Sequence, residues 1–548
     1  MQNDNRPSPT GGIRLKPEGA LLRTYLRAAG VAPESIAKPL VGVVTVATQV
    51  FSERPDAKEL GNAVVSGVEA AGGIAVRWDT SRTPDQMAWG HAESYSFAWR
   101  DQLADFIESW ARQEALDGLV LVGDSQKTLV GMAMAAARLN LPAVIVTAGA
   151  SSLMQSATSP YQGLLEALFG KKPVNAAQEK IFNGSLQAQD NHSSHAVDMA
   201  LEALGLCLPG MSTAPAGSPR KHELAHSSGQ RVIALVQSGF SARRALSANS
   251  FMNAVRVNAA MGGSVDVAVH LMALAHEAGV VLSLQQFDKI SRETPQVCRL
   301  GGVGLKEAHK IEDLDRAGGV WAVMHALKDA VSPTTTISGK GASELARSSS
   351  IKDPHVISSN RPLAKQSGVA LLRGNLAPRG AAFLPTQVYP ALTQFHGTAV
   401  VFENEIDAAK AIIENKVKKA YAIFVRGQGP KGGPGLRKLR ILPALLESRG
   451  LNKTIPVITD GRLPDFPAGL FISFASPEGA VVGPLSVLKT GDAVEIDTVA
   501  RTINVRLTDM ELKIRQTRWQ APDPKATKGF LGRYSRSVSE AHEGAVLK

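Results

Sequence analysis

The sequence predicts an α/β protein, with an N-terminal doubly wound α/β domain followed by a C-terminal β-rich, barrel-like domain. Three observations carry this. A strand–loop–helix–strand unit occupies 118–147, and such a unit implies parallel strands joined by right-handed crossovers. After a Ser-, Thr-, Lys- and Gly-rich stretch at 332–366, short strand patterns crowd together. At 548 residues the chain is also too long for a single core.

In order, 1–12 reads as a disordered tail, because it is polar and lacks the apolar segment of a secretory signal. Residues 38–47 (KPLVGVVTVA) are apolar and β-branched, as in a buried strand. A helix at 57–71 stops at Gly72-Gly73. Strands follow at 74–78, 118–122 and 143–147, with helices at 99–112 and 130–139. Further helices fall at 199–206, at 250–278 with a break at 260–264, at 287–292 and at 311–320. The α/β domain is placed at 13–340, a linker at 341–366 and the barrel-like domain at 367–548. Its strands are expected at 369–372, 398–402, 421–425, 455–458, 471–474, 493–497 and 502–507.

Composition narrows the function. Hydrophobic residues make up 44% and glycine is abundant (50), as in loop-rich α/β enzymes. No apolar run approaches the roughly 18 residues of a membrane span. Two cysteines, Cys207 and Cys298, exclude a disulfide scaffold and any site needing three or four thiolates. The cytoplasm is the expected location. The net charge of +11 is scattered and not interleaved with aromatics, so nucleic-acid binding is not expected.

Three stretches could hold a site. The glycine-rich loop 425–436 (VRGQGPKGGPGL) leaves a strand pattern, and its glycines allow positive φ and close approach of a ligand. It lacks the Gly-Lys-Ser/Thr ending of a P-loop. The stretch 457–466 (VITDGRLPDF) has the same design, so the two loops form a plausible pocket floor or are two tight turns. The loop GDSQKT at 123–128 sits at the carboxyl end of a strand, where ligands of parallel sheets bind. In DNHSSHAVD (190–198), His192, His195 and Asp190 are candidate ligands for a divalent metal or capping and surface residues.

Together the motifs resemble the dihydroxy-acid dehydratase and phosphogluconate dehydratase family. They are GMAMAAARLNLP (131–142), MALEALGLCLPG (199–210), AAMGGSVDVAVHL (259–271), FDKISRETPQVCRL (287–300), IEDLDRAGGV (311–320) and GVALLRGNLAPRG (368–380). GPKGGPG (429–435), ITDGR (458–462), SPEGA (476–480), TGDAVEID (490–497) and the tail 529–548 complete the set. The resemblance implies removal of water from a 2,3-dihydroxy carboxylic acid to give a 2-keto acid. It also implies a cysteine-held iron–sulfur cluster, a Mg²⁺ held by carboxylates and a modified lysine, a serine base, and a site at a dimer interface.

The sequence departs from that pattern at the positions that matter. The Cys-Asp-Lys triplet is Ser125-Gln126-Lys127; Ala188 stands at a cluster cysteine and Glu53 near the variable one. Gln428 replaces the glutamate before GPKGGPG, and Pro464 the serine after TDGR. Glu93 lies beside Ala92, which occupies the metal-acid position of the Gly-His loop. Serine and alanine do not replace thiolates, and glutamine keeps a carboxylate's shape without its charge.

Three readings follow. In the first, the chain is a degenerate member that keeps the fold and an anion or hydroxy-acid pocket of Ser125, Gln126, Lys127, Gln428, Lys431, Asp460 and Arg462, with a binding or partner role. In the second, it is an enzyme with a rebuilt, cluster-independent site for a small carboxylate, with catalytic candidates Lys127, His91, Glu93, His192 and Asp465. In the third, it is an ordinary family dehydratase. No iron–sulfur cluster is expected, and a divalent metal is left open. The resemblance implies a homodimer or a dimer of dimers, or pairing with an active paralogue.

Overall fold

The computed structural model describes residues 16–28, 30–46, 57–80, 91–148, 191–301 and 309–548. Strands β1 (Leu40–Val46), β2 (Ile74–Thr80), β3 (Gly118–Gly123) and β4 (Ala143–Thr147) form a parallel sheet in the order β2-β1-β3-β4. β1, β3 and β4 are buried along their whole length, which explains their unbroken apolar character. Helix α1 (Ala57–Ala70) joins β1 to β2, α2 (His91–Gln113) joins β2 to β3, and α3 (Gln126–Leu139) joins β3 to β4. The strand order reverses direction after β2, so right-handed crossovers place α1 on one face and α2 and α3 on the other.

Helix α4 (Asn191–Ala203) leads to α5 (Pro219–Ser238), which packs on α1. The two backbones nearly touch. A Cβ on Gly67 would lie 2.0 Å from the His226 carbonyl oxygen, and one on Gly229 would lie 2.2 Å from that of Val64. The long helical region resolves into α6 (Ala248–Ala260) and α7 (Val265–Ala278), broken at the expected glycines, where Gly262 and Gly263 have φ of 104° and 85°.

The second domain is an eight-stranded sheet ordered β12-β11-β7-β8-β9-β10-β6-β5. Its members are β5 (Ala370–Leu372), β6 (Gly380–Phe383), β7 (Gln394–Phe402), β8 (Tyr421–Val425), β9 (Val457–Thr459), β10 (Phe471–Ser476), β11 (Ala493–Asp497) and β12 (Thr502–Val505). β7 to β10 run parallel, with antiparallel pairs on both flanks. The two edges meet: Arg373 N donates to Arg501 O at 3.1 Å and Ile503 N to Arg373 O at 3.0 Å, so the sheet rolls into a nearly closed barrel. Alternation fills it. Ala422 and Phe424 of β8 join the inner core with Leu372 and Ile503, while Ile423 and Val425 pack outward against helix α8 (Ile441–Ser448). The chain then returns, because Leu531, Tyr534 and Val546 of the tail pack into the core of the first domain.

The α1–α5 crossing yields a stability test. Gly229→Ala is expected to cost about 1–3 kcal/mol in urea unfolding, as for other overpacked sites. Gly341→Ala, whose nearest neighbour is 3.5 Å away, is expected to change little.

Candidate functional site

The glycine loop leaves β8 and turns at Gly427, where φ is 68°. Its backbone donors face the chain's own acids. Gly427 N and Gln428 N donate to the Asp460 carboxylate at 2.8 and 2.9 Å, and Gly479 N adds a third bond at 2.7 Å. Lys431 N and Gly432 N donate to Glu478 at 3.2 and 3.4 Å. A Cβ on Gly429 would sit 1.8 Å from the Glu478 carboxylate, so this glycine admits an internal anion. On its inner side the concavity made by these donors is filled by Asp460 and Glu478. Burial raises both carboxyls, and Glu478, which also faces Asp460 and Glu540, is pushed up to about 8.

Beyond Pro434 the loop docks on the start of α2. A Cβ on Gly435 would lie 2.1 Å from Ser94 O, Arg437 Nη2 donates to Ser94 Oγ at 3.3 Å, and Lys438 N donates to Glu93 Oε1 at 3.0 Å. Two residues further along α2, Ser96 Oγ accepts from Lys127 Nζ at 2.9 Å. Lys127 lies in the first turn of α3 and is buried, as is Gln126, while Ser125 Oγ donates to Thr128 Oγ1 at 3.0 Å. The first turns of α2 therefore gather Glu93, Lys127 and the glycine loop.

A buried ion triad fastens the same loops to α7. Asp266 pairs with Lys438 Nζ at 2.9 Å and with Arg462 Nη1 at 3.0 Å. Burial alone would raise the Asp266 carboxyl, but the two cations outweigh it and hold it well below the usual range. Arg462 Nε also donates to Leu436 O at 3.0 Å, and its guanidinium lies 4.9 Å from the Phe97 ring centre. Phe97 in turn carries Arg100 at 4.8 Å and stacks on His270 at 5.6 Å. His270 is buried and held well below its ordinary pKa by burial and by Arg100.

Several pocket candidates are thus committed inside the protein. Arg462 belongs to the triad and Asp460 to the loop donors. Gln428 is buried and its Nε2 donates to the carbonyls of Glu403 and Arg426 at 2.9 and 3.0 Å. A carboxylate has no proton to donate to either oxygen. Of the pocket set, Lys431 lines an open cleft. Asp465 is buried, and its Oδ1 accepts from Val265 N, at the start of α7, at 3.2 Å. Burial, with Asp266 adding repulsion, raises it from 3.8 to about 6. Asp266, Lys438 and Glu478 were not singled out from the sequence. A lone acid in the apolar run SVDVAVHL was the available signal for the first.

Asp190, Ala188 and Glu53 lie outside the described residues, as do the side chains of His91 and His192. His195 is buried with Nδ1 3.6 Å from Asp198. Among the described residues no group of three or more His, Cys, Asp or Glu is placed to hold a metal ion. Among the described residues no cysteine stands at a position where the resemblance implies a cluster ligand. Ser125 supplies no thiolate, and both cysteines are buried, with Cys207 raised well above its usual value by burial and by Glu202 and Cys298 pushed up to about 12 by burial.

Comparison with known proteins matches residues 38–345 to the dihydroxy-acid/6-phosphogluconate dehydratase N-terminal model and 355–545 to the corresponding C-terminal model. The chain belongs to the dihydroxy-acid/6-phosphogluconate dehydratase family. It is 35% identical to a dihydroxy-acid dehydratase of Syntrophotalea carbinolica, covering 100% of both chains. It is equally 35% identical to proteins of that name from Thermodesulfovibrio yellowstonii (96% of this chain, 97% of the relative) and Citrifermentans bemidjiense (98% of each). The mixed α/β and barrel-like architecture agrees with both family models. Among the described residues no helix is long and apolar enough to cross a membrane.

Two measurements test this electrostatic frame. Asp266→Asn leaves two buried cations unpaired and is expected to cost about 3–5 kcal/mol in denaturant unfolding. For Asp465, between its ordinary 3.8 and about 6 the folded protein keeps a proton that the unfolded chain has lost. Its contribution to stability therefore falls as pH rises through that window. Asp465→Asn should gain stability relative to the parent at pH 7 compared with pH 4; an equal difference at both would refute the assignment.

Proposed function

We propose that this member of the dehydratase family keeps the scaffold without the family-type dehydration and serves a binding or partner role. The observation that carries this reading is Gln428. It stands where the resemblance implies a metal-holding glutamate, and its amide donates to two main-chain carbonyls. Ser125 and Pro464 at two further positions point the same way, since neither a hydroxyl in place of a thiolate nor a ring nitrogen without a proton supplies the implied chemistry.

A second reading is favoured by Lys127 and Glu93, which α2 holds close to one another along its first turns: a rebuilt, lyase-like site acting on a hydroxy acid without a cluster. Its relatives are named dihydroxy-acid dehydratases, which makes 2,3-dihydroxy acids the first substrates to offer.

Protein purified without oxygen is assayed for iron, sulfide and divalent metals, and for 2-keto acid release from dihydroxy acids and sugar acids. The binding role predicts no stoichiometric iron or sulfide and no keto acid. Iron and sulfide together with turnover at enzymic rates restore a cluster dehydratase. Turnover without iron, abolished by Lys127→Ala, establishes the rebuilt site.

A further inference from the structure

An open cleft of about 790 Å³ lies at the carboxyl edge of the parallel strands β7 to β10. Its walls come from the residues after β7 (Glu403), after β8 (Arg426 to Gly432) and after β10 (Gly479, Ala480), and from the stretch 519–527 before the C-terminal helix. The lining includes none of Lys127, Gln428, Asp460, Arg462 or Asp465. The cleft thus shares the glycine loop, through Arg426, Gly427, Lys431 and Gly432, with the cluster gathered by α2, but none of the buried side chains of that cluster lines it.

Charge and shape give its ligand class. Arg426 is neutralised by Glu403 at 2.6 Å and holds the carbonyls of Ser486 and Leu488 at 2.8 and 3.1 Å, which makes it part of the wall. Three other cations remain, Lys431, Lys525 and Arg536, against one acid, Asp523. Lys525 Nζ donates once, to Gly427 O at 2.6 Å, and among the described residues the Lys431 ammonium has no hydrogen-bond or ion-pair partner. Trp519 contributes an aromatic wall, backed by the barrel core. The volume falls within the range of about 300–1,000 Å³ typical of sites for drug-sized ligands, far more than a few waters of about 30 Å³ each would fill.

We infer that this cleft binds an organic anion of nucleotide size, with a flat ring against Trp519 and a phosphate or carboxylate at Lys431, Lys525 and Arg536. Indole stacks on flat rings, and ammonium and guanidinium groups hold phosphate and carboxylate through charge-assisted bonds. The inference goes beyond the proposed loss of cluster chemistry and does not depend on it, since the cleft lies on other residues.

The test is calorimetric titration of the full-length protein with adenosine monophosphate, indole acetate, inorganic phosphate and neutral adenosine. At least one of the two ring anions should bind saturably, and phosphate and adenosine at least about tenfold more weakly. Which ring anion binds separates phosphate from carboxylate recognition. Lys431→Gln and Trp519→Leu should each weaken that binding about tenfold at an unchanged melting temperature. Lys431→Gln stands alone if Trp519→Leu fails to fold, because the ammonium bonds no described residue. No saturation by either ring anion at millimolar concentration, or unchanged affinity in Lys431→Gln, overturns the assignment.

Discussion

The pairing of Asp266 with Lys438 and Arg462 is the constraint on which the rest of the arrangement depends. A carboxylate in the first turn of an apolar helix is tolerated only when opposite charge reaches it. Both cations come from the second domain, Arg462 on the loop 457–466 and Lys438 two residues past the glycine loop 425–436. Pairing therefore fixes those loops against α7 and, through Gly435 and Lys438 N, against the start of α2. It also gives the Arg462 guanidinium an internal partner. Among the described residues Asp465 receives no cation of its own at hydrogen-bond distance, and its raised pKa follows from burial and from Asp266 beside it.

The glycine loop obeys the same logic with a different partner. Consecutive backbone N–H groups in tight turns make an anion-binding concavity, and sequence reasoning assigns that concavity to a ligand. Here Asp460 and Glu478 fill it. Gly429 is required because of the Glu478 carboxylate that lies against it, not because of a substrate. The loop's outer side, at Lys431, is left to face the cleft. A glycine-rich loop at a strand end thus marks a close approach, and only the partner that approaches decides whether the reason is structural or functional.

The strands were legible where β-branched runs made them so: β1, β3, β4, β8 and β11 fall within a residue or two of the expected spans. The helix break at Gly262-Gly263 was equally plain. β6 was missed because GAAF is short and small, and α5 because its first half, PRKHELAHSSGQ, buries lysine, alanine, serine and glycine, the apolar Val232, Ile233 and Leu235 following only in its second half. Barrel closure through Arg373 and Arg501 joins residues more than a hundred apart and leaves no local trace. The same non-locality hid the site. Lys127 and Glu93 were flagged singly, but that α2 gathers them, and that Asp266 captures Arg462, are facts of packing between distant segments.

Gln428 shows how the glycine loop meets its own buried acceptors. Its position is buried beneath two carbonyls that need donors, and unmet buried acceptors cost about 1–3 kcal/mol each. The amide meets both. A carboxylate in the same place would put one oxygen where the amide nitrogen donates and would need a cation to hold it there. Glutamine therefore stabilises the loop without that cation. The surrounding frame, made by the Asp266 triad, the acid-filled glycine loop and the closed barrel, takes in Gln428 itself, whose N–H donates to Asp460.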